Sequence, residues 1–201
     1  MQGSKEKTMR FLWLDTETTG LEVTDSSVFE LGLILVDNGQ TVCERCFFLN
    51  PLSETIKYHD EAGKIHGYTE EQIKSFPSEK EQVPKIIEFL ENAMTLFNKS
   101  SPEKLIVAGY NVSFDIKHIK ALFERNGYNY NDYFVPSTAD VFEQVKRAGF
   151  QKALPYLPDR KLVTVAKHLG VNLENAHDAL ADIKATREVA RKLQQMKVNL
   201  L

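Results

Sequence analysis

Two carboxylates lie two residues apart at the end of a short apolar run, Asp15 and Glu17 in Leu14-Asp-Thr-Glu17. Residues i and i+2 of an extended chain share a face, so a strand that persists to position 17 aims both acids at one place. Carboxylates held that close repel one another, which raises a pKa unless a cation sits between them. Oxygen-only ligands suit a hard divalent ion such as Mg²⁺ or Mn²⁺. Such a pair is also common in solvated turns, where Asp and Thr cap backbone donors, so alone it decides little. Two further acids strengthen the case: Asp115, just after another apolar run in Gly109-Tyr-Asn-Val-Ser-Phe-Asp115, and Asp182, in the first turns of the last helical stretch. These four acids, from three segments, make one site if the fold gathers them.

His177 lies five residues before Asp182. That spacing is about 140° round an ideal helix, so the two side chains cannot meet from the middle of a regular helix. His177 must precede the helix or sit at its frayed start, which divides proton transfer from metal binding. Asp178 is a rival, as the i,i+4 neighbour of Asp182. An acid favourably placed near a helix N-terminus is its preferred reading.

The elements that must position these residues are legible from periodicity. Arg10 to Leu14 reads as a strand, Phe29 to Val36 as a second, and Thr41 to Leu49 as its return after the hairpin signal Asp37-Asn38-Gly39. From about Glu79, Val83, Ile86, Ile87, Leu90, Met94 and Phe97 recur at helical spacing, with Ser101-Pro102 beyond the expected end. Lys104 to Gly109 reads as a strand, Ser113 to Arg125 as a helix stopped near Gly127, Val135 to Asp140 as a strand and Val141 to Ala148 as a helix. Helices follow at Leu162 to Leu169, capped by Gly170, and at about Asp178 to Lys197. Strands first, then strands alternating with helices, argue for an α/β fold, a mixed sheet with helices packed on it.

Bulk properties narrow the function. At 201 residues and 42% hydrophobic, the chain fits one domain, taken as residues 9–201 after a polar stretch 1–8 expected to be disordered. No apolar run is long enough to cross a bilayer and the start lacks a signal peptide's apolar stretch, so a soluble, cytoplasmic protein without a membrane partner is expected. Lys and Arg number 25 against 28 Asp and Glu, so a polyanionic partner must be held locally, by metal and placed donors. Cys43 and Cys46 form one C-x2-C with no second half and read as ordinary strand residues.

Asp15-Thr-Glu-Thr-Thr-Gly20, Asn111-Val-Ser-Phe-Asp115 and His177-Asp-Ala-Leu-Ala-Asp182 resemble, in order and approximate spacing, the three exonuclease motifs of the DEDD superfamily, histidine type. The likeness is greatest to the proofreading epsilon subunits of bacterial DNA polymerase III and their relatives. Ile65-His66-Gly67-Tyr68-Thr69 resembles a further element of that group, between the first two motifs. The resemblance implies a ribonuclease H-like sheet flanked by helices, two divalent ions (Mg²⁺ or Mn²⁺), and release of nucleoside 5′-monophosphates from single-stranded 3′ ends. It implies metal ligation by Asp15, Glu17, Asp115 and Asp182, and His177 as general base. Substrate contacts are expected around Thr18, Thr19 and Gly20, with Leu21, His66, Asn111 and Phe114 near the terminal nucleotide. The family also implies a possible setting in a polymerase or repair complex, although the short tail after the last helix favours a stand-alone enzyme.

The implied chemistry agrees with the residue types. Two ions roughly 4 Å apart activate a water and stabilise a leaving 3′ oxygen. A histidine with an ordinary pKa of about 6.5 takes that water's proton near neutral pH. Phe114 and Leu21 offer apolar faces to a frayed base.

Blander readings stand beside these. Phe114 has the credentials of a core aromatic on the helix that buries Ile119 and Leu122, and His66 those of a polar turn residue. His59, His118 and His168 are assigned to solvent or helix faces, the basic residues Lys184, Arg187, Arg191, Lys192 and Lys197 to a solvated helix face, and Asp140 to no ligand role. Three functions remain open: a nuclease on DNA or RNA ends, including oligoribonuclease-like or RNase T-like enzymes; a non-catalytic binding relative, against which the complete set of five residues counts; and a hydrolase of small nucleotides.

Overall fold

The computed structural model describes residues 10–96, 102–173 and 176–200. The expected disorder of residues 1–8, and the placement of Phe97 and Ser101, lie outside the described residues. Among the described residues, five strands, β1 (Arg10–Thr18), β2 (Val28–Asp37), β3 (Gln40–Phe48), β4 (Leu105–Gly109) and β5 (Phe134–Asp140), form one sheet in the order β3-β2-β1-β4-β5. β1, β2 and β3 pair antiparallel, whereas β1, β4 and β5 run parallel. Among the described residues, seven α-helices accompany them, α1 (Asp60–His66), α2 (Glu70–Lys74), α3 (Glu79–Thr95), α4 (Ser113–Arg125), α5 (Val141–Phe150), α6 (Leu162–His168) and α7 (Ala179–Gln195), with one 3-10 turn at Tyr130–Asp132. The mixed sheet with flanking helices is the architecture expected from the sequence.

Alternation along the strands divides the core into two layers. Leu12 and Leu14 of β1 pack with Leu31, Leu33 and Leu35 of β2 under α3 and α4. Trp13, Ile34 and Val36 face the other way, with Val145, Val165, Ile183 and Val189 of α5, α6 and α7. Asp15 and Glu17 continue the face of Trp13, which is the α7 side. β1 runs past Leu14 because Asp15, Thr16 and Glu17 stay in register with Gly32, Leu31 and Glu30, so both acids share the expected face. The β2–β3 turn holds Asn38 and Gly39 at φ 49° and 78°, the two positive angles a type I′ hairpin requires.

α1 and α2 escape the sequence reading. With seven and five residues they are too short to display an apolar period. Their local signals lie at the ends: Gly67 closes α1 at φ 78°, and Thr69 with Gln72 makes a capping box for α2.

Close approach at two glycines sets the site. A Cβ on Gly32 would lie 3.0 Å from Ala179, so a bare backbone lets the start of α7 press onto β2. A Cβ on Gly109 would meet the Leu14 carbonyl oxygen at 2.6 Å and Val112 Cγ1 at 2.8 Å, between β1 and the turn into α4. Backbone cannot swing aside as a side chain can, so Gly109→Ala is expected to cost about 1–3 kcal/mol of stability, the scale of overpacking. Urea denaturation checks this, and an unchanged midpoint would show that β1 and β4 separate freely.

Candidate active site

The C-terminal rim of β1 is where the segments meet. Asp15 and Glu17 reach it from β1, Asp115 from the first turn of α4, and Asp182 from the first turn of α7. Asp115 is buried, and its Oδ1 accepts both the Thr16 N–H at 2.9 Å and the Thr16 hydroxyl at 2.7 Å. Those two bonds lock α4 to β1 and leave Oδ2 for another partner. His177 precedes α7 with its backbone at φ 72°, a left-handed conformation uncommon outside glycine, and its N–H points at Asp182 Oδ2 across 3.4 Å. Asp178 accepts from Ala181 N at 2.8 Å and is the N-cap of α7, as preferred from the sequence. Glu17, His177 and Asp182 each offer a ligand atom, all within 4.8 Å of one another.

The charges are costly without a cation. Burial, then repulsion from Asp115, Asp182, Glu17 and Glu30, holds the Asp15 carboxyl well above the usual range. Burial first, then Asp182 and Glu30, pushes Glu17 to about 9. Asp115 rises only to about 7, because the Thr16 bonds oppose its burial, and Asp182 to about 6, because the His177 N–H opposes its own. Asp182 Oδ1 is buried with no hydrogen-bond partner among the described residues. Hard oxygen donors, mutual repulsion and an orphaned carboxylate oxygen all fit a divalent cation.

The raised values fix a sign. The folded metal-free state binds more protons than the unfolded chain, so stability is greatest below the ordinary carboxylate pKa and is lost as pH climbs through about 6 to 9. Saturating Mn²⁺ is expected to relieve that loss. The melting-temperature gap between Mn²⁺ and EDTA is therefore expected to widen from pH 5.5 to pH 8.5, reaching about 5–10 °C. Scanning calorimetry checks this, and a gap that stayed constant or narrowed would contradict it.

A cleft of about 590 Å³ opens beside the acids, lined by Glu17, Thr18, Gly20, Leu21, His66 and Phe114, with Tyr58 and His59. Leu21 is 67% exposed, and its carbonyl accepts from Lys117 Nζ at 2.9 Å while the same ammonium sits 5.0 Å from the Phe114 ring centroid. One lysine thus braces both apolar faces. Thr18 gives its hydroxyl to the Gly20 carbonyl at 2.7 Å, which shapes the turn. His66 is buried against Phe29 at 4.6 Å, and its Nδ1 accepts the Tyr68 N–H. Burial, then the charge of His177, lowers its pKa to about 4, so it lines the cleft as a neutral ring and not as a surface turn residue.

Two expected substrate contacts sit elsewhere. Thr19 is fully buried and its hydroxyl accepts the Ser27 N–H, so its side chain closes the 19–27 loop and does not face the cleft. Asn111 is exposed at φ 58°, outside the cleft lining, with its N–H donated to Asp140. Asp140 accepts from the N–H groups of Asn111, Val112 and Phe142 and so holds the turn that launches α4. His118 lies on a helix face but is buried, bonded to Ser26 and Phe114, because its ring supports Phe114 from beneath.

Glu30 went unnoticed in the sequence, although a lone acid inside Val28-Phe-Glu-Leu-Gly-Leu33 is a legible signal. Tyr58 went unnoticed with α1, and His59, assigned to solvent or a helix face, instead lines the cleft. A larger cleft of about 720 Å³, lined by Phe11, Trp13, Lys184, Arg187 and Arg191, holds none of the expected site residues. Lys184 pairs with Glu44, Arg187 with Thr41 and Arg191 with Glu188, which agrees with a solvated helix face. Cys43 and Cys46 are free on β3.

Comparison with known proteins agrees with this architecture. A family model described as exonuclease, RNase_T, matches residues 12–190. The PolC-type DNA polymerase III of Clostridium perfringens is 28% identical over 181 residues, and that of Pediococcus pentosaceus 29% over 180. These alignments cover 90% and 88% of this chain but only 11% of either polymerase, so the chain spans about a tenth of the length of these relatives. Among solved structures, the zinc-bound E. coli exonuclease I–ssDNA complex aligns over 96% of this chain and 42% of its own, with a TM-score of 0.79 at 23% identity. E. coli exonuclease I in complex with a dA16 oligonucleotide aligns over 93% and 41%, with a TM-score of 0.76 at 23% identity. The ribonuclease H-like exonuclease fold expected from the motifs is therefore the fold observed.

Proposed function

The chain belongs to the RNase_T exonuclease family, and we propose that it is a metal-dependent 3′→5′ exonuclease that releases nucleoside 5′-monophosphates from single-stranded ends, DNA foremost. One observation carries this reading: Glu17 and Asp182 lie with His177 within 4.8 Å of one another at the rim of β1, and Asp15 is near enough to Asp115, Asp182 and Glu17 to be repelled by all three. Asp15, Glu17, Asp115 and Asp182 would hold two divalent ions, Mg²⁺ or Mn²⁺. When bound, such ions supply positive charge to an attacking water and to a leaving 3′ oxygen.

The chain's own residues do the rest. His177, near Glu17 and Asp182 but free of the helix, takes the proton of the water as general base. Leu21 and Phe114 flank the cleft as apolar faces for a terminal base, and stacking of that kind accepts any base. Thr18 and Gly20 form the floor beneath it, and neutral His66 packs the wall. With a net charge of −3, the protein relies on this local machinery and not on a broad positive field to hold a strand.

Ends are accessible to such a cleft wherever a 3′ terminus frays, which suits a free repair enzyme and equally a proofreading unit of a larger assembly. DNA and RNA oligonucleotides of equal sequence, and the corresponding dinucleotides, would be offered separately with Mg²⁺ and the products resolved by liquid chromatography. Nucleoside 5′-monophosphates arising faster from the DNA strand support the proposal. Turnover confined to dinucleotides would replace it with a small-nucleotide hydrolase, and faster RNA turnover would replace the substrate.

A further inference from the structure

Glu30 is 1% exposed, in a β2 stretch that is otherwise apolar. Acids are almost never buried to that degree without a cationic partner, yet no salt bridge reaches Glu30 among the described residues. What it holds instead are two donors: the Ala179 N–H at 3.2 Å and the Cys46 S–H at 3.4 Å, both on Oε1. Ala179 opens α7, and its N–H is one of the four at a helix start that lack an intrahelical acceptor. Asp178 serves Ala181 from within the same segment, whereas Glu30 serves Ala179 from the sheet.

The location gives that bond a consequence. Glu30 pairs across the sheet with Glu17, and Ala179 lies two residues after His177 and three before Asp182. Gly32, on the same face of β2, lets α7 approach closely enough for the bond to form. We propose that Glu30 is a positioning residue, tying the start of α7 to β2 at the point where β2 pairs with Glu17 of β1. The tie sets the separation between Glu17 and Asp182, which would hold a cation, with His177 beside them. This rests on the metal-dependent reading above. Glu30 touches neither substrate nor metal in this role, and a side-chain oxygen at that length is what the role requires.

The test compares Glu30→Gln, which retains an oxygen acceptor, with Glu30→Ala, which has none. Mn²⁺ affinity is read by titration calorimetry without substrate, and kcat and KM are read on a single-stranded oligonucleotide. Glu30→Ala is expected to weaken Mn²⁺ binding and lower kcat by about 10–100-fold, the range for partners that orient metal ligands, with KM changed by less than about threefold. Glu30→Gln is expected to restore both to within about threefold of the wild type. Wild-type Mn²⁺ affinity in Glu30→Ala would overturn the proposal, as would a Gln variant as defective as the Ala variant. If Glu30→Ala does not fold, Ala179→Pro removes the same N–H at a helix position where proline is well tolerated. An unchanged Mn²⁺ affinity there would overturn the proposal equally. A wild-type protein that binds Mn²⁺ but cleaves nothing would sink the exonuclease reading while the calorimetry still decided the role of Glu30.

Discussion

Asp15→Asn is expected to lower kcat at least about a thousandfold, the scale on which removing preorganised charge from a reacting phosphate acts. The amide matches the carboxylate in volume, so packing beneath it is kept. It removes a negative charge from the group on which Asp115, Asp182, Glu17 and Glu30 all act. That repulsion also sets the sign of the stability effect. A carboxyl whose pKa is raised on folding destabilises the metal-free protein above its ordinary titration range, so the variant is expected to melt no lower than the wild type in EDTA at pH 8. Initial rates on a 5′-labelled strand, with melting curves in EDTA, check both halves. A wild-type rate would remove Asp15 from the site, and a lost rate with a lowered melting temperature would mark damage to the fold.

His177→Ala is expected to slow hydrolysis by two or more orders of magnitude, the contribution typical of a general base, with Mn²⁺ binding largely kept. The geometry makes the experiment decisive, because the ring lies within ligand reach of Glu17 and Asp182 and has two roles open to it. Loss of Mn²⁺ binding in calorimetry, with a rate barely changed at saturating metal, would make His177 a ligand. The backbone at φ 72° calls for a control, since alanine is strained there. Asparagine tolerates the left-handed conformation better, so His177→Asn should lose the same rate without a drop in melting temperature.

The candidate acids were legible as a spacing pattern, and the resemblance to the exonuclease motifs joined them into one set. Asp15 and Glu17 need a strand-end spacing of two, and His177 needs to stand off the helix that carries Asp182; both constraints can be read directly from the chain. The strands and long helices were legible through apolar periodicity, the helix expected from about Ser113 to Arg125 among them. What escaped depends on contacts between distant segments. Nothing near Thr19 says that Ser27 will take its hydroxyl, and nothing near Asp140 says that it will collect three N–H groups from the turn at Asn111 and the start of α5. His66 and His118 resembled surface histidines because the rings that bury them, Phe29 and Phe114, pack on them through the tertiary fold. The short α1, with Tyr58 and His59 beside it, closes one wall of the cleft through end caps and not through an apolar stripe.

The most direct test is a gel time course of 5′-labelled single-stranded DNA with Mg²⁺, with Mn²⁺ and with EDTA. A ladder that shortens from the 3′ end, one nucleotide at a time, in either metal and not in EDTA is the predicted result. An intact strand in both metals, or cleavage that persists in EDTA, would contradict a metal-dependent exonuclease built on Asp15, Glu17, Asp115 and Asp182.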